Sequence, residues 1–429
     1  MQDDIRPPQR GNGSAKPHQP MRSLRLRGHT IDDAKGRLTS KPPEPQPEAP
    51  TLRPATPDSG SQPPSRVKKQ RFARWRRLNR NVRFAIIALL LLIFGAGSIF
   101  YYDHIRPSGE STLSIIKHKK PAAPTTVASP LTGVQVAPSL AARAVTGIMI
   151  ENSDGARPQS GLQDAGVVYE AIAEAGITRF LALFQDTAPQ YIGPVRSLRQ
   201  YYIDFAAPFQ ASIVHVGGSP DALSEVANGS FRNLDQFANG AYFTRITVRD
   251  APHNVYTSFD ELDKLNAAKG YTSSKFTSWP RKTDKKLVTA TAKTIQFAIS
   301  SSDFYANYTY DSNTNTYLRS EGGAPHLDLV SASDTTGVQL HPKVVIALVM
   351  PVSNGELDAS GAYYSDYQDS GSGNAFIFQD GGVTQGTWNK AATEDQLSLT
   401  NAAGQAIKLN AGQTWITLVG ADNQVTYSP

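Results

Sequence analysis

The chain has 429 residues, long enough for two or three domains, and a formal net charge of +6. The charge is uneven: residues 1–102 carry 19 Lys and Arg against 7 Asp and Glu, a net of +12, whereas the remainder carries 24 against 30, a net of −6. The basic excess belongs to the N-terminal arm, so we expect no nucleic-acid binding by the rest of the chain. The absence of cysteine excludes disulfides, thiolate catalysis, cysteine-ligated metals and a lipid-modified N-terminal cysteine.

Residues 1–84 form a basic, proline-rich arm that we predict to be disordered and cytoplasmic. Such a composition buries too little apolar surface to offset the entropy of ordering. Residues 66–84 contain nine Lys and Arg and no acid, and positions 85–102 carry no charge. This pattern predicts one membrane-spanning helix over 85–102, with everything beyond it outside the cell by the positive-inside rule.

Four segments follow the predicted membrane helix. A linker over 103–130 leads to an N-terminal α/β ectodomain at 131–275, then a transition at 276–293 and a β-domain at 294–429. The predicted fold class is therefore α+β. It combines a mixed-sheet N-terminal ectodomain that carries helices with a smaller, mostly β C-terminal domain, besides the transmembrane helix.

Alternating apolar residues and turn signals predict the individual elements. Strands are predicted at 144–151, 167–174, 178–185 and 211–216, the second and third joined as a hairpin through Ala175-Gly176. Helices are predicted at 194–208, beginning at Pro194, at 220–228, and at 258–268, where Ser258 and Glu261 make a capping-box pattern. The β-domain is predicted to hold hairpins at 308–319 and 375–388, the latter turning at Asp380-Gly381-Gly382, and two or three strands within 397–419.

Arg196 and Arg199 are the first candidates for a binding site. The predicted helix places them about one turn apart on one face, where guanidinium and backbone N–H groups together suit a carboxylate or a phosphate. In the alternative interpretation they are internal ion-pair partners of Glu170, Glu174 or Asp186. The pattern alone does not decide between the two.

Two histidines stand near predicted element ends. His215 lies in an apolar strand just before Gly217-Gly218, a pair that would let a ligand approach the backbone closely, although a lone histidine in a strand is more often a hydrogen-bonded core residue. His253-Asn254 forms a polar turn before a helix and could face a ligand or simply cap the chain. No metal-binding spacing occurs around these residues, so we predict no metal and no cofactor.

Glu170 and Glu174 lie two alternations apart on a predicted strand, and so are expected on one face. They could form a glycosidase-like carboxylate pair or an ordinary solvent face. The interpretation we prefer makes them ion-pair partners of Arg179, Arg196 or Arg199. No nucleophile motif occurs in a usable context.

His326 and His341 belong to the predicted β-domain. The neighbouring sequence, including GGAPHLD around the first of them, is typical of turns. We interpret both as turn or strand-edge residues.

Five motifs follow one another along the chain: ARPQSGL (156–162), YE…GITRF (169–180), IGPVRSLR (192–199), HVGGSP (215–220) and PHNVYTS (252–258). In this order they resemble the YerB-like family of bacterial surface lipoproteins, the DUF3048 group. The segments GNAFIFQDGGVTQGTW and LNAGQTWI resemble the family's C-terminal domain. The resemblance covers most of residues 131–420 and implies a two-domain, extracytoplasmic, membrane-tethered protein, but no activity.

The sequence departs from the family pattern in two places. A predicted transmembrane helix replaces the usual lipidated cysteine. In MIENSDGARPQSGL, Glu151 stands where the family has Asp, and the histidine expected shortly after it is absent. Any mechanism that needs that histidine does not carry over to this chain.

We predict a binding or scaffold module at the cell envelope with an anionic ligand, rather than an enzyme. The expected partners are the cell membrane, through residues 85–102, and a cell-wall polymer or an envelope protein. The predicted groove contains Arg196, Arg199 and His215, with Glu170 and His253-Asn254 at its rim. The alternatives are a hydrolase of cell-wall glycan or peptide that uses Glu170 or His215 as acid or base, and a structural partner in an envelope complex.

Overall fold

The computed structural model describes residues 79–100, 125–358 and 361–429. The chain divides into two units, Met1–Leu113 and Ser114–Pro429. All of the described strands belong to the second unit. The predicted disordered arm up to residue 78, and residues 103–124 of the predicted linker, lie outside the described residues.

The first unit contains helix α1, Arg80–Phe100, which overlaps the membrane-spanning helix predicted at 85–102. None of the described helices is long and apolar enough to cross a membrane, so that prediction is not supported. Positions 101 and 102 lie outside the described residues.

The described part of the second unit contains short helices and many strands. The helices are α2 Pro138–Ala141, α3 Gln200–Ala206, α4 Pro220–Asn228 and α5 Phe259–Ala268. The strands up to residue 275 are β1 Val127–Ala128, β2 Gln135–Val136, β3 Thr146–Glu151, β4 Val167–Glu174, β5 Ile177–Phe184, β6 Ser212–His215, β7 Arg232–Asp235, β8 Thr244–Arg245 and β9 Val255–Tyr256.

The strands beyond residue 275 are β10 Arg281–Lys282, β11 Thr294–Phe297, β12 Ala306–Asp311, β13 Thr316–Glu321, β14 Ala324–Pro325, β15 Leu327–Asp328, β16 Val338–Gln339, β17 Val344–Val349, β18 Val352–Leu357, β19 Tyr363–Tyr367, β20 Gly371–Gln379, β21 Gly382–Lys390, β22 Ser398–Asn401, β23 Leu409–Asn410, β24 Thr414–Val419 and β25 Val425–Ser428.

One twelve-stranded mixed sheet organises the second unit. Its strands follow the order β22-β21-β20-β17-β24-β4-β5-β3-β6-β7, with β19 pairing β4 and β18 pairing β19. Strands β3, β6 and β7 run parallel at one end, and β17, β24 and β4 run parallel in the middle. Because β24 pairs β4, the sheet continues across residues 276–293, where the sequence places a transition between two domains.

Alternation along the strands divides the core between the two faces of the sheet. On the first face, Tyr169 belongs to a cluster that also contains Tyr202 of α3 and Val226 of α4. On the second face, Val168 belongs to a cluster with Leu262 of α5 and the buried tyrosines of a five-stranded sheet, β14-β13-β12-β11-β25. Burial of each large side chain contributes about 1.5–3 kcal/mol, so the two clusters stabilise a three-layer arrangement.

Most of the predicted elements are confirmed. The strands predicted at 144–151, 167–174, 178–185 and 211–216 are β3, β4, β5 and β6, and the helices at 220–228 and 258–268 are α4 and α5. The Ser258 side chain accepts from the Glu261 N–H, as the capping pattern indicates. The predicted hairpins are β12–β13 and β20–β21, and 397–419 supplies β22, β23 and β24. The mixed α+β class and the β-rich C-terminal region are confirmed with them.

The helix predicted at 194–208 is wrong over its first turn and a half. Helix α3 begins at Gln200, and Arg199 is its N-cap in an extended conformation. The preceding segment is extended because its backbone groups bond to neighbouring strands: the Glu151 N–H donates to Pro194 O at 3.0 Å, and the Arg196 N–H donates to Met149 O at 2.9 Å.

Candidate functional site

Strands β3 and β6 end side by side, and the extended segment before α3 lies between their ends. The Val216 N–H donates to Arg196 O at 3.1 Å, and the Leu198 N–H donates to Gly217 O at 3.0 Å. This backbone insertion positions Arg196 beside Glu151, the last residue of β3. The carboxyl ends of parallel strands are a common place for ligands in such sheets.

Arg196 and Arg199 point to different environments, so they do not form the predicted pair on one helix face. Arg199 Nη2 lies 2.6 Å from Glu174 Oε2, its guanidinium covers the Tyr364 ring at 4.6 Å, and its side chain is 7% exposed. Arg179, 1% exposed, bonds the other oxygen of Glu174 at 2.5 Å. Burial alone would raise the pKa of Glu174, but the two arginines outweigh it and hold that pKa below its usual range. Arg199 is therefore an internal partner.

Glu170 and Glu174 do not share a face, contrary to the alternation expected from the sequence. The register of β4 against β5 shifts between Ile172 and Glu174, where β4 contains one extra residue. This bulge interrupts the alternation of side chains, so Glu174 points to the opposite face from Glu170. Glu174 consequently meets Arg179 and Arg199, whereas Glu170 meets Arg319 on the other side of the sheet. A glycosidase-like pair is ruled out by this geometry.

His215 is an internal residue. It is fully buried, with Nδ1 2.8 Å from Gly217 O and Nε2 2.9 Å from the Asn233 side-chain oxygen. Both ring nitrogens are thus used within the chain. The second interpretation of the sequence, a hydrogen-bonded core histidine, describes its contacts.

The space beside Gly217-Gly218 is occupied by other residues of the chain, so the pair does not open the backbone to a ligand. Gly217 has φ +61°, and a Cβ atom there would lie 3.3 Å from the Phe237 ring. A Cβ atom on Gly218 would meet Leu198 O at 3.0 Å. The Gly217 N–H donates to Asp235 Oδ1, so this turn is fixed by the end of β7.

Four side chains meet at the end of β3, and we call them the strand-end site: Glu151, Ser153, Arg196 and His253. The Ser153 hydroxyl donates to Glu151 Oε1 at 2.9 Å, and Ser153 Oγ lies 3.3 Å from His253 Nδ1. Because the hydroxyl hydrogen is used, Nδ1 must supply the hydrogen of the second bond. The described residues make no hydrogen bond to the other ring nitrogen, Nε2, of the partly exposed His253.

Two buried polar atoms of the strand-end site receive no hydrogen bond from the part of the chain that the structure describes. Glu151 Oε2 lies 3.0 Å from His253 Nδ1 without hydrogen-bond geometry, and Arg196 Nε lies 3.5 Å from Glu151 Oε1. The Glu151 side chain is 4% exposed, whereas those of Arg196 and His253 are 26% and 27% exposed. Among the described residues, none forms a hydrogen bond with the Arg196 guanidinium. The N–H groups of the Arg196 guanidinium thus remain available to an acceptor, and they lie next to the buried Glu151 carboxylate.

Asn254 stabilises the loop that carries His253. Its side-chain oxygen accepts from Arg245 Nη1 at 2.8 Å, and its amide nitrogen donates to Ile246 O at 3.3 Å. These bonds close the turn between β8 and β9. Of the predicted candidates, the structure therefore brings together Arg196 and His253, with Asn254 as loop support.

A second polar cluster is centred on Arg319. This fully buried guanidinium donates to Glu170 at 2.7 Å and to the Tyr308 hydroxyl at 2.6 Å, and stacks on Trp415 at 4.5 Å. Glu170 also accepts from Trp415 Nε1 and the Thr417 hydroxyl, both at 2.9 Å. The cluster therefore links strands β4, β13 and β24, which are far apart in the sequence.

His326 belongs to this buried cluster, although it directly follows the edge strand β14, as its interpretation as a turn or strand-edge residue expects. Its Nδ1 accepts from Arg319 Nε at 2.9 Å, and its Nε2 lies 2.9 Å from Gln159 Oε1. Burial and the neighbouring arginines hold the pKa of His326 well below its usual range. Glu321 lies 3.1 Å from Nδ1, and burial raises the pKa of this carboxyl to about 7.

The ARPQSGL segment connects both clusters. Gln159 Nε2 donates to Asn152 Oδ1 and to Glu151 O, at 2.8 and 3.0 Å. The backbone N–H groups of 161–163 all donate to the Asp328 carboxylate at 3.0–3.1 Å. Sequence reasoning missed Glu151, Ser153, Arg319 and Glu321 as site members, although Glu151 ends a predicted strand and Ser153 lies two residues beyond it.

Comparison with known proteins places this arrangement in a family. Residues 131–272 and 294–416 match the N-terminal and C-terminal domains of the family described as "Protein of unknown function (DUF3048)". A relative from Bacillus subtilis (strain 168), named "Putative lipoprotein YerB", is 30% identical over 267 residues, or 61% of this chain and 76% of the relative. The chain belongs to the DUF3048 family.

The predicted family resemblance is thereby confirmed, and the DUF3048 fold is confirmed by a solved structure. The crystal structure of YerB protein from Bacillus subtilis aligns with a TM-score of 0.61 and 27% identity, covering 71% of this chain and 100% of that one. Both DUF3048 regions contribute to the Arg319 cluster, since Glu170 lies in the first and Arg319 and Trp415 in the second.

Proposed function

We propose that this DUF3048 protein is a binding module of the cell envelope that takes an anionic ligand at the strand-end site. The observation that carries the proposal is the Arg196 guanidinium, which has no hydrogen bond from the described residues and is one-quarter exposed. A guanidinium presents planar, paired N–H donors that match a carboxylate or phosphate group.

The neighbours of Arg196 suit that role. The buried Glu151 carboxylate, 3.5 Å from Nε, would keep the guanidinium oriented while its outer nitrogens face the ligand. His253 adds a partly exposed imidazole ring that also contacts Glu151. The ligand class supported by these groups is a carboxylate or phosphate anion, such as the repeating unit of an anionic wall polymer.

Co-sedimentation of the full chain with purified cell wall tests this proposal. We expect Arg196→Ala to weaken binding at least tenfold, because one hydrogen bond to a charged group contributes about 1.5–3 kcal/mol. The matched control is Lys408→Ala, which removes one exposed positive charge beside β20, five strands away from β3 in the sheet. Equal binding by both variants would contradict the proposal.

The hydrolase alternative has less support from the geometry. Glu170 and His215, its predicted acid and base, are both fully buried and internally hydrogen-bonded. A structural role in an envelope complex is the remaining alternative. Binding to a protein partner that survives Arg196→Ala, together with no binding to purified wall, would favour it.

We also propose an envelope location with membrane contact through residues 85–102. The relative's name, a lipoprotein, supports the envelope, and α1 exposes large apolar side chains such as Leu92 and Phe94, at 71% and 81%. Exposed apolar surface of this kind is suited to a lipid interface. Protease added to intact cells should digest the second unit. Protection, or recovery of the chain in the soluble fraction, would contradict the proposal.

A further inference from the structure

An exposed aromatic side chain stands at the same edge of the sheet as the strand-end site. Phe237 follows β7 by two residues and is 74% exposed, the largest exposed fraction of any aromatic side chain among the described residues of the second unit. Single exposed apolar residues are common on protein surfaces. The significance of Phe237 therefore depends on what lies beside it.

Four chain segments lie side by side at this edge, and Phe237 belongs to the outermost of them. The Arg196 N–H donates to Met149 O of β3 at 2.9 Å, and Arg196 O accepts from the Val216 N–H, just beyond β6, at 3.1 Å. Strand β6 in turn pairs with β7, with Asp235 as the last paired residue. Neighbouring segments of a sheet are about 4.8 Å apart, so the backbones of Arg196 and Asp235 are separated by about 10 Å.

The polar side chains of these segments share the first face of the sheet. The inward residues just before the strand ends all belong to the cluster on the second face: Ile150, Val214 and Leu234. The residues that follow them point the other way by alternation, and these are Glu151, His215 and Asp235. Arg196 contacts Glu151, and Asp235 Oδ1 lies 3.8 Å from His215 Nδ1. Arg196 and Asp235 are therefore on the same side.

Phe237 is held in place beside Asp235. The N–H groups of Gly217 and Phe237 both donate to Asp235 Oδ1, at 3.1 and 3.2 Å. The Phe237 ring covers Gly217, since a Cβ atom on that glycine would lie 3.3 Å from it. Both bonds to the 21%-exposed carboxylate use Oδ1, so Oδ2 can accept a hydrogen bond from a ligand.

Three kinds of recognition are thus combined at this edge. Arg196 offers paired donors for one acidic group, the Phe237 ring offers an apolar platform, and Asp235 offers an acceptor for a hydroxyl. The carboxylates of Glu151 and Asp235 would repel a second anionic group. The favoured ligand therefore carries a single acid, an apolar face and neutral hydroxyls, which is the chemistry of a sugar acid.

We propose that the strand-end site extends past Gly217 to Phe237 and binds a sugar ring that carries one carboxylate. The carboxylate would bind Arg196, the C–H face of the ring would stack on Phe237, and a ring hydroxyl would donate to Asp235. This inference rests on the anion site proposed above, and it assigns the chemical class of the ligand at that site.

Titration of the full chain with sodium glucuronate, followed by calorimetry or NMR, tests the inference. Acetate supplies the carboxylate without the ring, and glucose supplies the ring without the carboxylate. We expect glucuronate to bind roughly tenfold more tightly than either, because it uses both Arg196 and Phe237. Phe237→Ala should weaken glucuronate binding about fivefold and leave the binding of inorganic phosphate unchanged, whereas Phe237→Tyr, which keeps the ring, should bind glucuronate like the wild type.

The matched control is Val288→Ala, which shortens an exposed apolar side chain next to the β20–β21 turn, where the Leu287 N–H donates to Asp380 O. Glucuronate binding should be unchanged in this variant. If phosphate binds through Arg196 but glucuronate binds no more tightly than acetate, or equally well in Phe237→Ala, the sugar-acid inference is overturned and the anion site stands. If neither phosphate nor glucuronate binds, both proposals are overturned.

Discussion

Replacing Glu174 with glutamine should cost this fold about 3 kcal/mol of unfolding free energy. The change removes the charge that two arginines share, at 2.5 Å from Arg179 and 2.6 Å from Arg199, with exposures of only 1% and 7% for the two guanidinium groups. Breaking a buried ion pair by removing one partner typically costs 3–5 kcal/mol. The lower end applies because Glu174 is 17% exposed, and because Arg179 keeps its bond to Ser197 O.

Urea unfolding followed by tryptophan fluorescence measures this loss at pH 7. With a slope of about 3 kcal/mol per molar urea, the midpoint should fall by about 1 M without a change of slope. Glu394→Gln is the matched control, since that carboxylate is exposed. Because the folded-state pKa of Glu174 is lowered, its stabilisation is complete above about pH 4.5 and is lost as pH falls through the folded pKa. A loss below about 1 kcal/mol at pH 7, or one equally large at pH 2, would refute the buried-clamp explanation.

Three further outcomes follow from the same geometry. Burial raises the pKa of Glu321 to about 7, so its contribution to stability is greatest below about pH 4.5 and is lost as pH rises through 7. Urea titrations at pH 5 and pH 8 measure this decrease in the free energy of unfolding, and Glu321→Gln should make it smaller. The same decrease in the wild type and in Glu321→Gln would contradict the prediction. Arg319→Met should destabilise the fold by 3–5 kcal/mol in thermal unfolding, because it leaves the Glu170 charge buried and unpaired, and a near-neutral effect would contradict this. Gly217→Ala should cost about 1–2 kcal/mol in the same assay, since φ is +61° there, whereas Gly404→Ala, also at positive φ but with no atom near its Cβ, gives the backbone cost alone. Equal losses in the two glycine variants would indicate that Phe237 does not crowd Gly217.

Sequence patterns predicted the elements that depend on local signals. The β4–β5 hairpin follows from two apolar runs around Ala175-Gly176, both of which adopt positive φ in the structure. Helix α5 follows from the Ser258 cap. These features depend on neighbours within a few residues, so they can be deduced without knowledge of the tertiary structure.

The errors arose where distant contacts override the local pattern. Gly193-Pro194 resembles a helix start, but the backbone after it bonds to the ends of β3 and β6, so α3 begins only at Gln200. The irregularity between Ile172 and Glu174 has no signal in VVYEAIAE, yet it moves one carboxylate to the opposite face.

The candidate site was only partly predictable for the same reason. Arg196 and His253 are 57 positions apart in the chain, and they come together because Glu151 at the end of β3 contacts both. Their pairing required knowledge of the sheet order. Arg199, by contrast, matched the internal ion-pair alternative, which the acidic residues of the neighbouring hairpin had already suggested.

The most direct test of the central claim is a titration of the full chain with inorganic phosphate, followed through the His253 ring resonances by NMR. An anion held by Arg196 must lie beside that ring, since both side chains contact Glu151. We predict saturable shifts of those resonances in the wild type and in Lys408→Ala, and their loss in Arg196→Ala. Unchanged His253 resonances in the wild type, or shifts that persist in Arg196→Ala, would contradict an anion site at the end of β3.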